Sequence, residues 1–244
     1  MLSVDEVAPG IYRLSAPPGP GSPISYNQFL IEDERPALIH TGVYPMFAEV
    51  RRAVAQVLDP TRLRHIIIGH FEADECGGMG RFVDLAADAD LVCSDVGARV
   101  NLSGWDFNGP VRGVRDGNVL DLGRHRLRFL ETPHVHHWDS LMVFEETTAS
   151  LFPADLFIQP GDQPPVVRED LSREMCHFYQ ASGIFAAEAP VRRVVERVRR
   201  LRPRWIHPMH GGSLPAEVAP AYFAALQTQA FAFDGRVQGR LLPS

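Results

Sequence analysis

The sequence predicts an α/β sandwich, two sheets packed face to face with helices outside. Three observations carry that expectation. Short apolar or alternating runs bounded by turn residues are interspersed with stretches of helical periodicity. The strand-then-helix theme occurs twice, in two similar halves. No internal repeat, low-complexity tract or linker divides the 244 residues, so one domain over residues 1–244 is expected.

The first quarter reads as strands: YRLSAP, YNQFLIED and PALIHTG, separated by PPGPGSP at 17–23 and DERP at 33–36. Phe47, Val50, Val54, Val57 and Leu58 then fall at helical spacing until Asp59-Pro60 stops them. Ile66-Ile67-Ile68 is a continuous apolar run, as in a strand buried on both faces, and ends at Gly69-His70. In the second half, Leu127 and Phe129 alternate with Arg126 and Arg128, a half-exposed strand that stops at Thr132-Pro133. LMVFEE and ASLFPAD are two further strands, and helical segments run from about Leu171 to Leu201. In the last of these, Val191, Val194, Val195, Val198 and Leu201 form one apolar face, with arginines on the rest. RWIHPMHGG is a strand entering a Gly-rich loop, and a closing helix spans about Glu217 to Phe233.

Composition excludes several classes. With 45% hydrophobic and 22% charged residues the chain reads as an ordinary soluble protein. A formal net charge of −6 argues against nucleic acid, which needs a basic stripe. MLSVDEVAPG carries acids and no long apolar run, so it is not read as a signal peptide, and nothing approaches the ~20 apolar residues of a membrane span. Cys76, Cys93 and Cys176 form no C-x-x-C pair and are odd in number, so they are expected to be small buried apolar residues in a reducing cytoplasm.

The chemistry lies where the apolar runs end. Ile66–Ile68 is followed by His70, Glu72, Asp74 and Glu75; the 127–130 strand by His134, His136 and His137; the 150–154 run by Asp155; Trp205-Ile206 by His207 and His210. One such residue after a strand is ordinarily a turn or cap. Four strand ends all delivering ligand types is not explained that way. H-x-E-x-D-E is the sharpest cluster, since three carboxylates this close repel one another unless a cation joins them. His70, His136 and His210 with Glu72, Asp74, Asp155 and Glu75 are too many donors for one tetrahedral zinc and suit two metals. Asp155, arriving alone from its own strand, is the natural bridge. Imidazole and carboxylate donors without thiolate suit iron or manganese. Two dications would also balance four carboxylates, so a di-iron site is favoured, with zinc or manganese as alternatives.

These residues resemble the metallo-β-lactamase superfamily, and within it the di-iron domain of flavodiiron proteins and the stand-alone oxygen-binding di-iron proteins. SYNQFLIEDERPALIHTG resembles the family's opening hairpin, and GHFEADECGG its H-x-E-x-D-H motif, with Glu72 where hydrolase members carry His. TPHVHHWDS is similar to T-P-x-x-H-W-P-D-S, which places a ligand at His136; LFPAD matches the bridging strand at Asp155, and HPMHGG the final loop at His210. The resemblance implies an αββα sandwich with two metals at one sheet edge. The chain departs from the pattern at Glu75, usually His, and at His40, usually Asp. No flavodoxin domain lies within these 244 residues, so no flavin is expected in this chain. By alignment His134, His137 and His207 are not ligands, and Tyr179 is read as core.

The expected function is therefore binding, and possible reduction, of O₂ or NO at a di-iron site, as an oxygen sensor or as an oxidase fed by a separate reductase or coupled to a signalling partner. A homodimer fits the family. The alternative is a two-metal hydrolase of a phosphoester, thioester or lactone; the carboxylate of Glu72, where hydrolases carry His, weighs against it. A metal-stabilised signalling module without turnover is a third class.

Overall fold

In the computed structural model, which describes residues 2–234, two sheets stack with helices on both outer faces. The first half contains β1 (Ser3–Ala8), β2 (Ile11–Ala16), β3 (Tyr26–Ile31), β4 (Ala37–Ile39), helix α1 (Phe47–Val54) and β5 (His65–Ile67). Helices α2 (Ala73–Cys76) and α3 (Met79–Leu85) follow, then β6 (Asp90–Ser94) and β7 (Val111–Val114). Strands β1 to β7 form one sheet in chain order. The second half contains β8 (Val119–Asp121), β9 (Arg126–Glu131), β10 (Leu141–Glu145), β11 (Ser150–Phe152), helices α4 (Ser172–Ser182) and α5 (Glu188–Leu201), β12 (Trp205–Ile206), β13 (Leu214–Pro215) and α6 (Ala219–Thr228). Strands β8 to β13 form the second sheet, in the order β13-β12-β11-β10-β9-β8.

Period-2 alternation produces the layers, because successive side chains on a strand point to opposite faces. Ile66 and Ile68 pack outward with Phe47, Val50, Val54 and Phe82 of α1 and α3, whereas Ile67 packs inward. Leu38 goes outward and Ile39 inward; Leu30 goes outward and Phe29 inward. The second sheet does the same: Leu127, Phe129, Leu141 and Val143 meet the first sheet, while Leu130, Met142 and Phe144 meet Val191, Val195 and Tyr222 of α5 and α6. Each such buried side chain contributes roughly 1.5–3 kcal/mol. The αββα order expected from sequence is the observed one.

The closing helix is shorter than its periodicity predicts, ending at Thr228, and β1, β6, β7 and β8 were not anticipated. All three cysteines are buried and unpaired. Among the described residues no helix is long and apolar enough to cross a membrane.

Strand direction decides where the loops gather. β4 and β5 run parallel. β9 and β11 each pair antiparallel with β10, and β11 runs parallel to β12, so β9, β11 and β12 all point one way. Backbone hydrogen bonds join the sheets where these strands end: Leu141 N donates to Gly69 O (2.8 Å) and Asn27 N to Met209 O (2.8 Å). A buried side-chain clamp reinforces the join. Arg13 Nε donates to Asn27 Oδ1 (3.0 Å), and both residues donate to the carbonyl of Gly211, Arg13 at 3.0 Å and Asn27 at 2.7 Å.

A second tie links the turn after β3 to the β8–β9 turn. The buried Asp33 carboxylate accepts from the backbone N–H groups of Glu34 (2.7 Å), Arg124 (3.0 Å) and His125 (2.7 Å), and faces His125 Nδ1 at 2.7 Å. Burial opposes its ionisation, but these bonds win and hold the carboxyl down at about 2. A depressed carboxylate stabilises the fold above its unfolded-state value near pH ~4, and that contribution is lost as pH falls towards the folded value. Asp33→Asn should therefore destabilise the protein by about 1.5–3 kcal/mol at neutral pH. In urea titrations the gap between wild type and variant should narrow between pH ~4 and pH ~2. A gap that stays constant over that range would show that the ionised form carries no special weight.

Candidate metal centre

Each sequence-predicted ligand sits just past the end of a strand. His70 follows β5 by way of Gly69, whose backbone passes so close to its neighbours that an added Cβ would lie 2.9 Å from His40 Nε2 and 3.1 Å from Ala154 Cβ. Glycine is required there for the chain to turn into the site. Glu72 is extended (φ −114°, ψ 151°) and precedes α2, which carries Asp74 and Glu75. That short helix is pinned to the end of β4, since Thr41 donates to the Glu75 carbonyl through both N (2.7 Å) and Oγ1 (2.8 Å). His136 lies between β9 and β10, Asp155 beyond β11 and His210 beyond β12.

Six of the seven residues turn toward one another. His70 Nε2 is 3.2 Å from Glu72 Oε2 and 3.5 Å from Asp155 Oδ2. His136 Nε2 is 3.1 Å from Glu72 Oε2 and 2.9 Å from Asp155 Oδ2. The other oxygen of Asp155, Oδ1, is 3.2 Å from His210 Nε2, which is 3.5 Å from Asp74 Oδ2. Asp155 thus presents one oxygen to His70 and His136 and the other to His210. Glu72, Asp74, His136, Asp155 and His210 line a cavity of about 290 Å³ together with Ile24, Ile158, Phe178, Ile184 and Ser182.

Glu75 faces elsewhere. Its Oε2 lies 2.8 Å from His70 Nδ1 and accepts from His70 N (3.0 Å), on the side of the ring away from Glu72 and Asp155. Its Oε1 is 3.5 Å from His40 Nε2. His70, Glu75 and Asp155 also offer atoms within 4.8 Å of one another. They are not a second site for one ion, because Glu75 faces Nδ1 and Asp155 faces Nε2, and one imidazole cannot turn both nitrogens to the same cation. His40 and Glu75, both departures from the family pattern, thus stand in contact.

The electrostatics are those of a cation site carrying protons instead. Burial disfavours the imidazolium at His136 and His210, yet Asp155, helped by Glu72 at His136 and Asp74 at His210, pushes each up to about 9. His70 is also raised, its burial outweighed first by the charge of Glu75. Hydrogen bonds from His136 and His70 hold Glu72 well below the carboxylate range. Asp155 is likewise depressed, its burial overcome by His136 and His210. Asp74 is raised by burial and by Asp155, and burial lifts Glu75 to about 7 against the pull of His70. Asp155 Oδ1, Glu75 Oε1 and His70 Nδ1 are buried with no well-formed hydrogen bond among the described residues. Such orphaned atoms are costly in a dry interior, and a cation between the carboxylates offsets that cost. The donor set fits two cations of intermediate hardness. Cys76 lies close in sequence, but burial pushes its thiol up to about 12 and leaves it a packing residue.

The neighbours divide. Tyr179 belongs to the core, as expected, and its hydroxyl donates to the Asp155 carbonyl (3.0 Å) and accepts from Ile158 N (3.0 Å), fixing the bridging residue's backbone. His207 is buried between the hydroxyls of Ser213 (2.8 Å) and Ser150 (3.2 Å), and His134 is exposed at positive φ (67°). His137, not a ligand by alignment, lies nearer the cluster than that alignment suggests: its Nε2 is 3.8 Å from Glu72 Oε2 and its ring centroid is 4.7 Å from that of His70. The adjacent pair His136-His137 was the available signal.

Comparison with known proteins places the fold and the family. A family model described as ODP family beta lactamase matches residues 24–211. The nitric oxide reductase of Moorella thermoacetica is 31% identical over 138 residues, which are 55% of this chain and 34% of that protein. The rubredoxin-oxygen oxidoreductase of Megalodesulfovibrio gigas is 28% identical over 198 residues, 77% of this chain and 48% of that protein. This chain therefore matches half or less of those relatives' length. Among solved structures, the rubredoxin oxygen:oxidoreductase of Desulfovibrio gigas superposes with a TM-score of 0.82 at 21% identity, covering 92% of this chain and 61% of that one. The flavodiiron protein of Giardia intestinalis gives 0.83 at 20%, covering 93% and 59%. At such identities the likeness is one of fold. The family match spans most of the chain and includes every strand end that delivers a ligand: the chain belongs to the ODP family beta lactamases.

Proposed function

We propose that this chain binds two iron ions and acts on O₂ or NO, with electrons from a separate donor protein. The single observation that carries the reading is the divided Asp155 carboxylate, with one oxygen turned to His70 and His136 and the other to His210. On this reading His70, Glu72, His136 and Asp155 hold one metal, and Asp74, Asp155 and His210 hold the other. The similarity to a nitric oxide reductase and a rubredoxin-oxygen oxidoreductase supports the substrate class and the need for an outside donor. The three buried, unpaired thiols suit a cytoplasmic site of action.

When bound, the metal pair supplies electrons and open coordination positions for a diatomic ligand. The chain's own residues do the rest. Asp155 sets the spacing of the two positions, and Tyr179 fixes its backbone. His210 Nδ1 faces the Ser25 carbonyl at 2.6 Å, an N–H donation that turns Nε2 inward. Ile24, Ile158, Phe178 and Ile184 give the cavity beside the site apolar lining. Glu75, expected from sequence among the ligands, is reassigned: it sits behind His70 and orients that ring, as carboxylates commonly do for metal-bound imidazoles. The size of the cavity, about 290 Å³, is the one observation that favours the hydrolytic alternative, because a diatomic needs far less room.

Protein made in iron-replete medium and purified anaerobically should carry about two irons per chain. Asp155→Ala should lose both, His136→Ala and His210→Ala should each weaken a different one, and His134→Ala should change nothing. About one zinc and negligible iron in the wild type would refute the assignment.

The reduced, iron-loaded protein should change its visible spectrum on mixing with O₂ or NO, and should be poor at hydrolysing generic phosphodiesters, thioesters and lactones. Fast zinc-supported hydrolysis of any of these, with no response to either gas, would establish the alternative.

Glu75→Gln tests the reassignment. Both irons should still bind, with affinity at the His70 position falling by about 10- to 100-fold and the His210 position unaffected. Selective loss of the His210-side iron would return Glu75 to the ligand set.

A further inference from the structure

His137 is the imidazole near the centre that family alignment leaves without a role. In TPHVHHWDS it stands where the family motif T-P-x-x-H-W-P-D-S carries Trp, and the chain's own Trp138 falls one place later. The substitution exchanges an apolar ring for a metal-binding one beside His136.

Three observations bear on what it does. First, three imidazoles converge on a single oxygen: Glu72 Oε2 faces the Nε2 atoms of His136 (3.1 Å), His70 (3.2 Å) and His137 (3.8 Å). Ligand atoms of His70, Glu72, His136 and His137 all lie within 4.8 Å of one another. Donors ~2.1 Å from one octahedral ion stand ~3.0 Å apart when adjacent and ~4.2 Å apart when opposite, so the four need only small shifts to share an ion.

Second, the other ring nitrogen is backed by a carboxylate. His137 Nδ1 is 3.5 Å from Asp139 Oδ1. Asp139 is buried, with its Oδ2 accepting from Phe71 N (3.1 Å) and its Oδ1 without a hydrogen-bond partner among the described residues. An ionised group in that position aims at the ring and turns Nε2 towards Glu72. His70 with Glu75, and His210 with the Ser25 carbonyl, are built the same way. An acceptor behind Nδ1 is the usual support of a metal-bound histidine.

Third, the loop holds the residue in place. His137 N donates to Ser140 Oγ (3.0 Å), and its carbonyl accepts from His134 N (2.7 Å).

The geometry points to His137 as a third imidazole on the metal held by His70, Glu72 and His136. With Asp155 that position then has five protein donors, whereas the Asp74–Asp155–His210 position has three. The two metals would then be unequal, with more open coordination positions on the His210 side than on the His70 side. The inference rests on the two-metal reading above.

The test uses the full chain loaded anaerobically with Fe(II) alone, read by X-ray absorption for imidazole content and by chelator competition for affinity. His137→Gln should lose one imidazole from the iron-bound set, and affinity at the His70 position should fall by about 10- to 100-fold, with the His210 position unchanged. His137→Trp, which restores the family's residue at a half-exposed position, should do the same. Asp139→Asn should lower affinity but keep the imidazole count. Two irons bound with unaltered affinity and imidazole content in both His137 variants would overturn the inference and leave the two-metal reading standing. If the wild type binds only one iron, the two-metal reading fails on metal count, and loss or retention of an imidazole at that iron on replacing His137 still decides the ligand.

Discussion

Everything at the functional edge of this protein depends on the mutual repulsion of carboxylates. Glu72, Asp74, Glu75 and Asp155 are gathered within one turn of helix and one strand end, and Glu75 and Asp155 are buried. Folding brings these groups together only if positive charge comes with them. Without metal, that charge falls to protons on His70, His136 and His210, whose proton affinities the neighbouring acids raise. Cations meet the same demand by displacing those protons, so metal uptake is tied to proton release.

The scaffold withstands this strain because it is stiff where the ligands leave it. Strands buried on both faces end in loops that are pinned at once: Leu141 to Gly69, Asn27 to Met209, Thr41 to the carbonyl of Glu75. Four non-glycine residues near the site, His40, His134, Ala154 and Phe157, hold positive φ, an expense ordinarily met only where the surroundings over-determine the backbone. Polar groups that would repel in a looser structure are thereby kept at bonding range.

Much of this was legible in the amino-acid order. The Ile66–Ile68 run and the 127–130 alternation encode two buried faces and one, because hydrophobic period reports directly on layers. The αββα class, the main strands and the strand ends bearing His70, Glu72, Asp74, His136, Asp155 and His210 followed from that pattern and from the family motifs. The orientation of Glu75 did not. Asp74 and Glu75 leave their short helix about 100° apart, and nothing in the order of residues says which of them turns to the cluster; the way Thr41 pins the helix through the Glu75 carbonyl is a tertiary matter. His137 was hidden for a related reason: its direction is imposed by Asp139, whose own position is set by Phe71 N on a different loop. A strand such as β8, three residues with one buried side chain, shows no period, and Asp33's tie to the β8–β9 turn joins segments far apart in sequence.

The division of donors between the halves has a mechanical consequence. The first sheet's loops contribute His70, Glu72 and Asp74, and the second sheet's contribute His136, Asp155 and His210. On the assigned ligand sets neither metal is complete within one half, so each ion is a rivet through both sheets. Opposite them, Arg13 and Asn27 of the first sheet grip the Gly211 carbonyl, so the His210 loop is seated by residues nearly two hundred positions earlier. A polypeptide cut between β7 and β8 would hold two half-sockets with no grip on metal until they met. Metal retention in such a protein would report whether its two sheets are docked.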